Sequence, residues 1–218
     1  MTVQTMLSLL TEGFLRTLLI FVLTLLGALP LGMLVYFGKK SRFAPLRALI
    51  NVYISVMRGT PLMLQLMVVY YGPSLLLGLN IPGNWRFTAA IVAFIVNYAA
   101  YFAEIYRAGI ESIPAGQYEA ANVLGYSGVQ TFFKIILPQM FKRVLPPVTN
   151  EVITLVKDTS LSSVIGIMEM FTRAKQIAVA PHSPGMLAFA SAAVFYYVFN
   201  YVVAFLMARL ERSQNYYS

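Results

Sequence analysis

The sequence predicts an all-α integral membrane protein with about five transmembrane helices in a single domain, residues 1–218. Hydrophobic residues make up 59% of the chain and charged residues only 11%, whereas a soluble domain carries about 25% charged residues. The apolar residues form runs long enough to cross the bilayer core, which needs about 20 helical residues. The basic residues stand at the ends of these runs, so the net charge of +8 indicates membrane orientation rather than nucleic-acid binding.

Each predicted span coincides with a mainly apolar stretch of the chain. The five spans cover about residues 13–38, 45–79, 87–108, 140–160 and 186–208. Within the second, an amphipathic stretch precedes an apolar run that begins at Leu62. The fourth is less apolar and contains charged residues and two prolines. Polar groups are tolerated at membrane depth where they face a protein-lined path, so we interpret this segment as a span.

The basic residues also predict the orientation of the chain in the membrane. One side of the spans carries ten of them: Lys39, Lys40, Arg42, Arg47, Arg107, Lys134, Lys142, Arg143, Arg209 and Arg212. The other side carries four: Arg16, Arg86, Arg173 and Lys175. Because cytoplasmic loops are enriched in lysine and arginine, we place the N-terminus outside and the C-terminus in the cytoplasm. The only histidine, His182, then lies in an outer loop, in a chain that has no cysteine to complete a metal site.

The long connection after the third span contains the most specific motif in the chain. It reads GQYEAANVLGYSGVQTFFKIILPQ, in which Glu119-Ala120-Ala121 is followed at fixed spacing by Gly125, Ile135, Leu137 and Pro138. Residues 117–125 can form a short helix. Its glutamate complements the positive end of the helix dipole, and its glycine suits a left-handed stop. The two alanines leave one side of this helix small, so a partner could approach its backbone closely.

This connection resembles the cytoplasmic EAA loop of the permease subunits of ABC importers. Other segments resemble the branch that transports polar amino acids such as histidine, glutamine, arginine and cystine: Arg58-Gly59-Thr60-Pro61-Leu62 with Gln65, residues 101–117, and Lys157-Asp158-Thr159-Ser160-Leu161. The resemblance covers about residues 13–210 and implies the type I ABC importer permease fold. It also implies that the helix at 117–125 couples the chain to an ATPase through Glu119, Ala120, Ala121, Gly125, Leu137 and Pro138.

The resemblance further implies a complete import system in the cytoplasmic (inner) membrane of a prokaryote. In such a system two permease chains pair as a homodimer or a heterodimer, and ATP-binding cassette subunits bind ATP and Mg. An extracytoplasmic solute-binding protein delivers the amino acid, which the permease moves inward by alternating access. The sequence has no nucleotide-binding fingerprint. We therefore expect ATP hydrolysis in the separate subunit, and neither catalysis nor a cofactor in this chain.

A candidate substrate site follows from helical spacing in the fourth span. Glu151, Thr154 and Asp158 lie at i, i+3 and i+7, so they share one helix face. Ionisable residues within a membrane are expensive and usually functional. Two carboxylates with a hydroxyl could bind the ammonium group of an amino acid or a cationic side chain, and Asn150 and Lys157 flank them. The alternative is a structural ion-pair network that holds this polar helix against its neighbours.

A second candidate lies where the chain should break within the second predicted span. Gly59 and Pro61 would interrupt the helix there, and broken helices in transporters expose backbone groups to ligands. Arg58 could bind a substrate carboxylate at the break, with Gln65 adding a hydrogen bond. The alternative is that Arg58 extends its charged end to the cytoplasmic surface of the membrane.

The third span contributes two pairs of polar residues. Asn97 and Tyr98 could line the same path, although a hydrogen bond between helices is the more common role for such an asparagine. Glu104 and Arg107 lie at i and i+3 near the cytoplasmic end of the span. Their spacing predicts a structural ion pair.

Two other functions are open to a membrane chain of this size. A secondary transporter or channel needs no ATPase-docking helix, so the EAA loop argues against it. A membrane enzyme needs catalytic groups, and the sole histidine lies in a loop. If both carboxylates of the fourth span bind substrate, an extra positive charge would satisfy them, which favours arginine, lysine, histidine or cystine. Glutamine would need only one of the two.

Overall fold

The computed structural model of the chain describes residues 2–181 and 185–214, and the regular structure in these ranges is helical, as predicted. In chain order the helices are α1 (Val3–Lys39), α2 (Ala44–Gly59), α3 (Leu62–Leu77), α4 (Trp85–Glu111), α5 (Ala115–Val123), α6 (Gly128–Thr131), α7 (Leu137–Asp158), α8 (Met170–Val179) and α9 (Gly185–Gln214). A π-helical turn, Phe132–Ile136, leads into α7, and a 3₁₀ helix, Thr159–Ile165, follows it. His182 lies outside the described residues.

Helix α1 begins ten residues before the span predicted at 13–38. Thr2 caps it by accepting a hydrogen bond from the backbone N–H of Thr5 at 3.2 Å. Met6 and Leu10 are fully buried in a small core that they form with residues of α8 and α9. The additional turns therefore serve packing between helices, which the hydropathy of one segment does not reveal.

The segment predicted as one span, 45–79, consists of two helices bent by 113°. Helix α2 ends at Gly59, Thr60 is extended with φ −121° and ψ 149°, and α3 starts after Pro61. Proline lacks an amide donor and disfavours helical geometry in the residue before it. The interruption predicted from Gly59 and Pro61 is confirmed.

Helix α4 lies at the centre of the molecule, in contact with α1, α2, α3 and α7. Its buried face is rich in alanine, and small residues allow neighbouring helices to approach closely. Helix α1 comes so near that a Cβ added to Gly32 would lie 2.8 Å from Cβ of Phe102. This close packing makes α4 the element against which the other helices are positioned.

By length and apolar composition, three of the described helices can cross a membrane: α1, α4 and α9. The bent pair of α2 and α3 qualifies as a fourth. Helix α7 falls short because it is amphipathic, although it packs between α4 and α9. The span predicted at 140–160 therefore stays a prediction. The α-helix there ends at Asp158, and the 3₁₀ helix that follows is terminated by Gly166 with φ +75°.

Candidate transport pathway and coupling helix

Two amide side chains close the break between α2 and α3. Nε2 of Gln65 donates to Oγ1 of Thr60 at 2.8 Å and to the carbonyl oxygen of Met57 at 3.1 Å. Nδ2 of Asn97 donates to Oε1 of Gln65 at 2.9 Å and to the same carbonyl at 3.1 Å. These bonds satisfy a backbone carbonyl that the bend leaves without a helical partner. The amide of Gln65 is thus occupied within the chain, and its predicted contact with substrate stays a prediction.

A hydrogen bond between α4 and α7 joins two of the predicted site residues. The hydroxyl of Tyr98 donates to Oδ2 of Asp158 at 2.7 Å. Tyr98 is buried and Asp158 is half-buried. A carboxylate that accepts a hydrogen bond from a buried phenol is held in a fixed direction. The pair therefore fixes the position of the end of α7 against the central helix.

Glu104 pairs with basic side chains where the ends of α1, α2 and α4 meet. It accepts hydrogen bonds from Nζ of Lys39 and from Nε of Arg107, the latter at 3.0 Å. Nη1 of Arg58 lies 3.8 Å from its second oxygen. The predicted pair of Glu104 and Arg107 is confirmed. The carboxylate is mostly buried, so it neutralises charges that would otherwise repel one another where three helices meet.

A polar cavity of 440 Å³ opens between α4, α7 and the end of α2. Its ionisable lining residues are Arg58, Glu104, Arg107, Arg143 and Glu151. The guanidinium of Arg58 lies 5.5 Å from the ring centre of Tyr101, which also lines the cavity. Nη1 of Arg143 donates to the carbonyl oxygen of Ser112 at 2.7 Å. The cavity therefore offers both cations and carboxylates to a ligand.

Glu151 differs from Glu104, the other carboxylate of this cavity. It is half-buried, and within the described residues its oxygens have no hydrogen bond and no ion pair. A partly desolvated carboxylate without a partner is costly in a protein interior. Its position in the cavity makes it the group most available to a ligand cation.

The structure separates the three residues that were predicted to share one face of α7. Glu151 lines the cavity, whereas Asp158 and Thr154 do not. Seven residues of helix separate the two carboxylates, a rise of about 10 Å. Asn150 and Lys157 are exposed and lie outside the cavity lining.

Arg143 is a cavity residue that the sequence analysis did not select. It stands eight residues before Glu151, so positions 143, 147 and 151 lie on one face of α7, the face that continues to Thr154 and Asp158. All three residues line the cavity. Extending the i, i+4 spacing toward the start of α7 would have identified it.

A second residue that the sequence analysis missed is Glu169, which is fully buried before α8. Its carboxylate accepts hydrogen bonds from the backbone N–H groups of Phe171 and Thr172, both at 2.7 Å, and from the hydroxyl of Tyr196 at 3.0 Å. Burial raises the pKa of this carboxyl, and the hydrogen bonds from α8 oppose that rise. Glutamate is not among the common N-cap residues, so the sequence did not indicate that Glu169 caps α8.

The predicted coupling helix is α5, which spans Ala115–Val123 instead of 117–125. Gly125 follows with φ +73°, and the backbone N–H of Tyr126 donates to the carbonyl oxygen of Ala121 at 3.0 Å. The predicted left-handed stop is confirmed, because only glycine adopts this geometry without steric cost. A sharp stop sets the direction in which the following residues leave the helix.

The surface of this connection is open on most sides. Glu119 and Ala120 are exposed, and Val123 and Leu124 are 88% and 69% exposed. Ala121 is fully buried within the chain. Ala120 is therefore accessible, whereas Ala121 packs α5 against its own connection, and the contact of these alanines with a partner stays a prediction.

Leu137 and Pro138 form the start of α7. Leu137 packs against the main core, and Pro138 occupies the first turn of the helix. Proline is tolerated there because the first N–H groups of a helix have no internal partner. One uninterrupted helix, α7, therefore runs from the connection that carries α5 to the cavity that contains Glu151.

Known proteins resemble this chain over nearly its full length. The profile of a family described as binding-protein-dependent transport system inner membrane component matches residues 28–216. The L-cystine transport system permease protein TcyB of Bacillus subtilis (strain 168) is 34% identical over 203 residues, 93% of this chain and 85% of that protein. The arginine transport system permease protein ArtQ of the same strain is 40% identical over 204 residues, 92% and 90% of the two chains.

A third relative and two solved structures agree with these matches. The glutamine transport system permease protein GlnP of Escherichia coli (strain K12) is 39% identical over 204 residues, 94% of this chain and 92% of that protein. A crystal structure of an amino acid ABC transporter with histidines gives a TM-score of 0.85 at 33% identity, covering 98% of this chain and 100% of that chain. The MetNI methionine ABC transporter, in an inward-facing conformation, gives a TM-score of 0.74 at 20% identity over 99% and 100% of the two chains, a likeness of fold.

Proposed function

The chain belongs to the family of binding-protein-dependent transport system inner membrane components, and from this we propose how its geometry imports an amino acid. It is the permease subunit of an ABC importer in the inner membrane, and ATP is hydrolysed by a separate subunit. The relatives carry L-cystine, arginine and glutamine according to their names. These substrates share an α-carboxylate and an α-ammonium group.

The cavity between α4 and α7 has groups that match this shared chemistry. In the part of the chain that the structure describes, Arg143 has one hydrogen bond, to a backbone carbonyl, and Arg58 reaches Glu104 only at 3.8 Å. Either guanidinium can bind an α-carboxylate in a bidentate manner. Glu151, which has no partner among the described residues, can bind the α-ammonium group. We assign the substrate to this cavity.

The side chain of the substrate would extend along α7 toward Asp158. Thr154 lies between the two carboxylates on this helix, and the hydroxyl of Tyr98 already binds Asp158 at 2.7 Å. A long cationic side chain, or the second ammonium group of cystine, could reach that carboxylate from Glu151. A neutral side chain would leave Asp158 to Tyr98 alone. Arginine and cystine are therefore our preferred substrates, with Asn150 and Gln65 in supporting positions.

The coupling helix α5 is proposed to bind the ATPase subunit. Glu119 and Ala120 are exposed, and the apolar side chains of Val123 and Leu124 extend from its end. Apolar groups of this size on a connecting loop are typical of a surface that another protein covers. Gly125 sets the direction of the chain after the helix. Leu137 and Pro138, the first residues of α7, would transmit the movement of the ATPase subunit into that helix.

The assembly follows from these assignments. A second permease chain, identical or homologous, would complete the pathway, because a chain with about five spans is too small to enclose one. Two ATP-binding cassette subunits would bind ATP and Mg on the cytoplasmic side, and this chain would bind neither. The N-terminus would lie outside and the C-terminus in the cytoplasm, in the orientation that the basic residues predict.

The observation that carries the proposal is the continuity of α7, which begins at the coupling connection and contains Glu151. The test is uptake of a panel of labelled amino acids by the complete complex in proteoliposomes. Gly125→Asp places a side chain and a charge at φ +73° and should abolish uptake while ATP hydrolysis continues. Gly128→Asp is the matched control, because Gly128 lies in the same connection but outside α5, with ordinary geometry and open space around it.

We expect the Gly128 variant to retain most of the wild-type uptake. Full uptake in Gly125→Asp would contradict the coupling role of α5. Uptake by the wild-type complex of sugars or peptides instead of amino acids would contradict the proposed substrate class.

A further inference from the structure

A second cavity, of 500 Å³, opens at the opposite end of α4. It lies between the start of this helix, the turn at Gly166 and one side of α1. Among the residues that the structure describes, its lining includes two arginines, Arg16 and Arg86, and no acidic residue. The distribution of basic residues predicts that this end of the molecule faces outward.

The charges of the two arginines are poorly compensated. Arg86 donates to the carbonyl oxygen of Gly166 and to the hydroxyl of Tyr70, both at 3.4 Å, and lies 5.7 Å from the ring centre of Tyr70. None of these partners carries a negative charge. Arg16 approaches Glu12 at 3.8 Å, but that carboxylate binds Arg173 more closely, at 2.7 Å. In the described part of the chain the cavity thus presents two cations without a carboxylate of their own.

Arginines at this end run against the general preference of such loops for fewer basic residues. Among the four basic residues at this end, Arg173 has an evident internal role, because it ties α8 to Glu12 of α1. Arg86 has no comparable ion pair within the described ranges. Its exposed guanidinium faces a cavity bordered by the connection before α4, which contains Gly83 and Asn84. Such an arrangement suits an acidic group that arrives from the aqueous side.

The cavity also joins two elements that matter to the pathway. Arg86 belongs to α4, and Gly166 ends the helical segment that continues α7. The same two elements meet again through Tyr98 and Asp158 at 2.7 Å. Because Arg86 and Tyr98 are twelve residues apart on one helix, about 18 Å separates the two links along α4. A group bound in the outer cavity would therefore contact both elements whose spacing defines the path.

We propose that this outer cavity is the docking socket for acidic side chains of the extracytoplasmic binding protein. The inference rests on the proposed import function and orientation. Carboxylates of the binding protein pair with Arg86 and Arg16, which orients that protein over the path. Contact with both α4 and the turn at Gly166 then lets docking alter the distance between the two elements.

The experiment uses the complete complex in nanodiscs of phosphatidylcholine, with ATP hydrolysis measured against the concentration of the amino-acid-loaded binding protein. Arg86→Gln should raise the half-saturating concentration about 10-fold, and Arg16→Gln should raise it by a smaller factor. Raising the salt concentration should weaken docking more in the wild type than in the double variant. Lys175→Gln, an exposed basic residue outside the cavity, is the matched control and should leave the half-saturating concentration unchanged.

Each result decides for or against the socket. Recovery of most of the affinity in Arg86→Lys would support a role for the charge, and Arg16→Gln decides the matter should Arg86 variants fail to assemble. Unchanged half-saturating concentrations in both Gln variants, or an equal rise in Lys175→Gln, would overturn the proposal. An effect seen only with anionic lipid in the nanodisc would assign the cavity to a lipid headgroup and overturn it as well. A wild-type complex that the binding protein does not stimulate would instead contradict the import function itself.

Discussion

The carboxylates on the two sides of the polar cavity have opposite surroundings. Where the ends of α1, α2 and α4 meet, Glu104 has three cations within 3.8 Å. Across the same cavity, on α7, Glu151 has no such partner among the described residues. Charges that hold helices together are neutralised inside the chain, whereas a carboxylate kept without an internal partner is available to a ligand.

The largest expected effect comes from removing the neutralised charge. Glu104→Gln leaves Lys39, Arg58 and Arg107 close together without their carboxylate, and breaking a buried ion pair from one side costs about 3 kcal/mol. We expect a marked fall in the temperature of unfolding of the detergent-solubilised complex. The control is Glu111→Gln, because Glu111 pairs with Lys40 and Arg107 at an exposed position where a pair contributes at most about 1 kcal/mol. An equal fall in unfolding temperature in the two variants would contradict the special structural role of Glu104.

Removing the unpaired carboxylate should change transport and spare stability. Glu151→Gln should lower the affinity for the amino acid by about 1–3 kcal/mol, a factor of about 5 to 150, because a charged hydrogen bond to the ammonium group is lost. The measurements are the concentration dependence of uptake and the unfolding temperature. The control is Glu111→Gln, an exposed carboxylate outside the cavity lining, which should leave the affinity unchanged and lower the unfolding temperature only slightly. Normal uptake in Glu151→Gln would return this residue to a structural role.

Asp158 is an intermediate case, since its partner is a neutral phenol. Tyr98→Phe deletes the hydrogen bond at 2.7 Å and should lower the free energy of unfolding by about 1 kcal/mol. If Asp158 binds a substrate cation, uptake of arginine should change while uptake of glutamine is spared. Competition between the two labelled amino acids in one vesicle preparation measures the ratio of arginine uptake to glutamine uptake. An equal decrease for both would mean that the bond serves only to position α7.

Much of this architecture follows from local sequence. The apolar runs predict α1, α4 and α9, and Gly59 with Pro61 predicts the bend because proline removes a donor at a fixed place. Gly125 predicts its own left-handed geometry for a similar reason. In each case the cause lies within a few residues of the effect.

What the sequence did not predict depends on contacts between distant segments. Residues 3–12 are helical because Met6 and Leu10 find partners on α8 and α9, about 160 or more residues away along the chain. The buried carboxylate of Glu169 likewise depends on Tyr196. In the substrate site, periodicity placed Glu151 and Asp158 on one face correctly, but only packing against α4 separates the residue that lines the cavity from the one that binds Tyr98.

The exposed end of α5 has a consequence for how the complex is made in the cell. If α5 binds the ATPase subunit as proposed, the aliphatic side chains of Val123 and Leu124 stay exposed until that subunit arrives. Exposed aliphatic groups of this kind are what chaperones and quality-control proteases recognise in orphan subunits. Surplus copies of the chain would therefore be removed, and the abundance of the permease would follow the supply of its ATPase. The short helix that we propose transmits movement in the finished importer would then also enforce the stoichiometry of its synthesis.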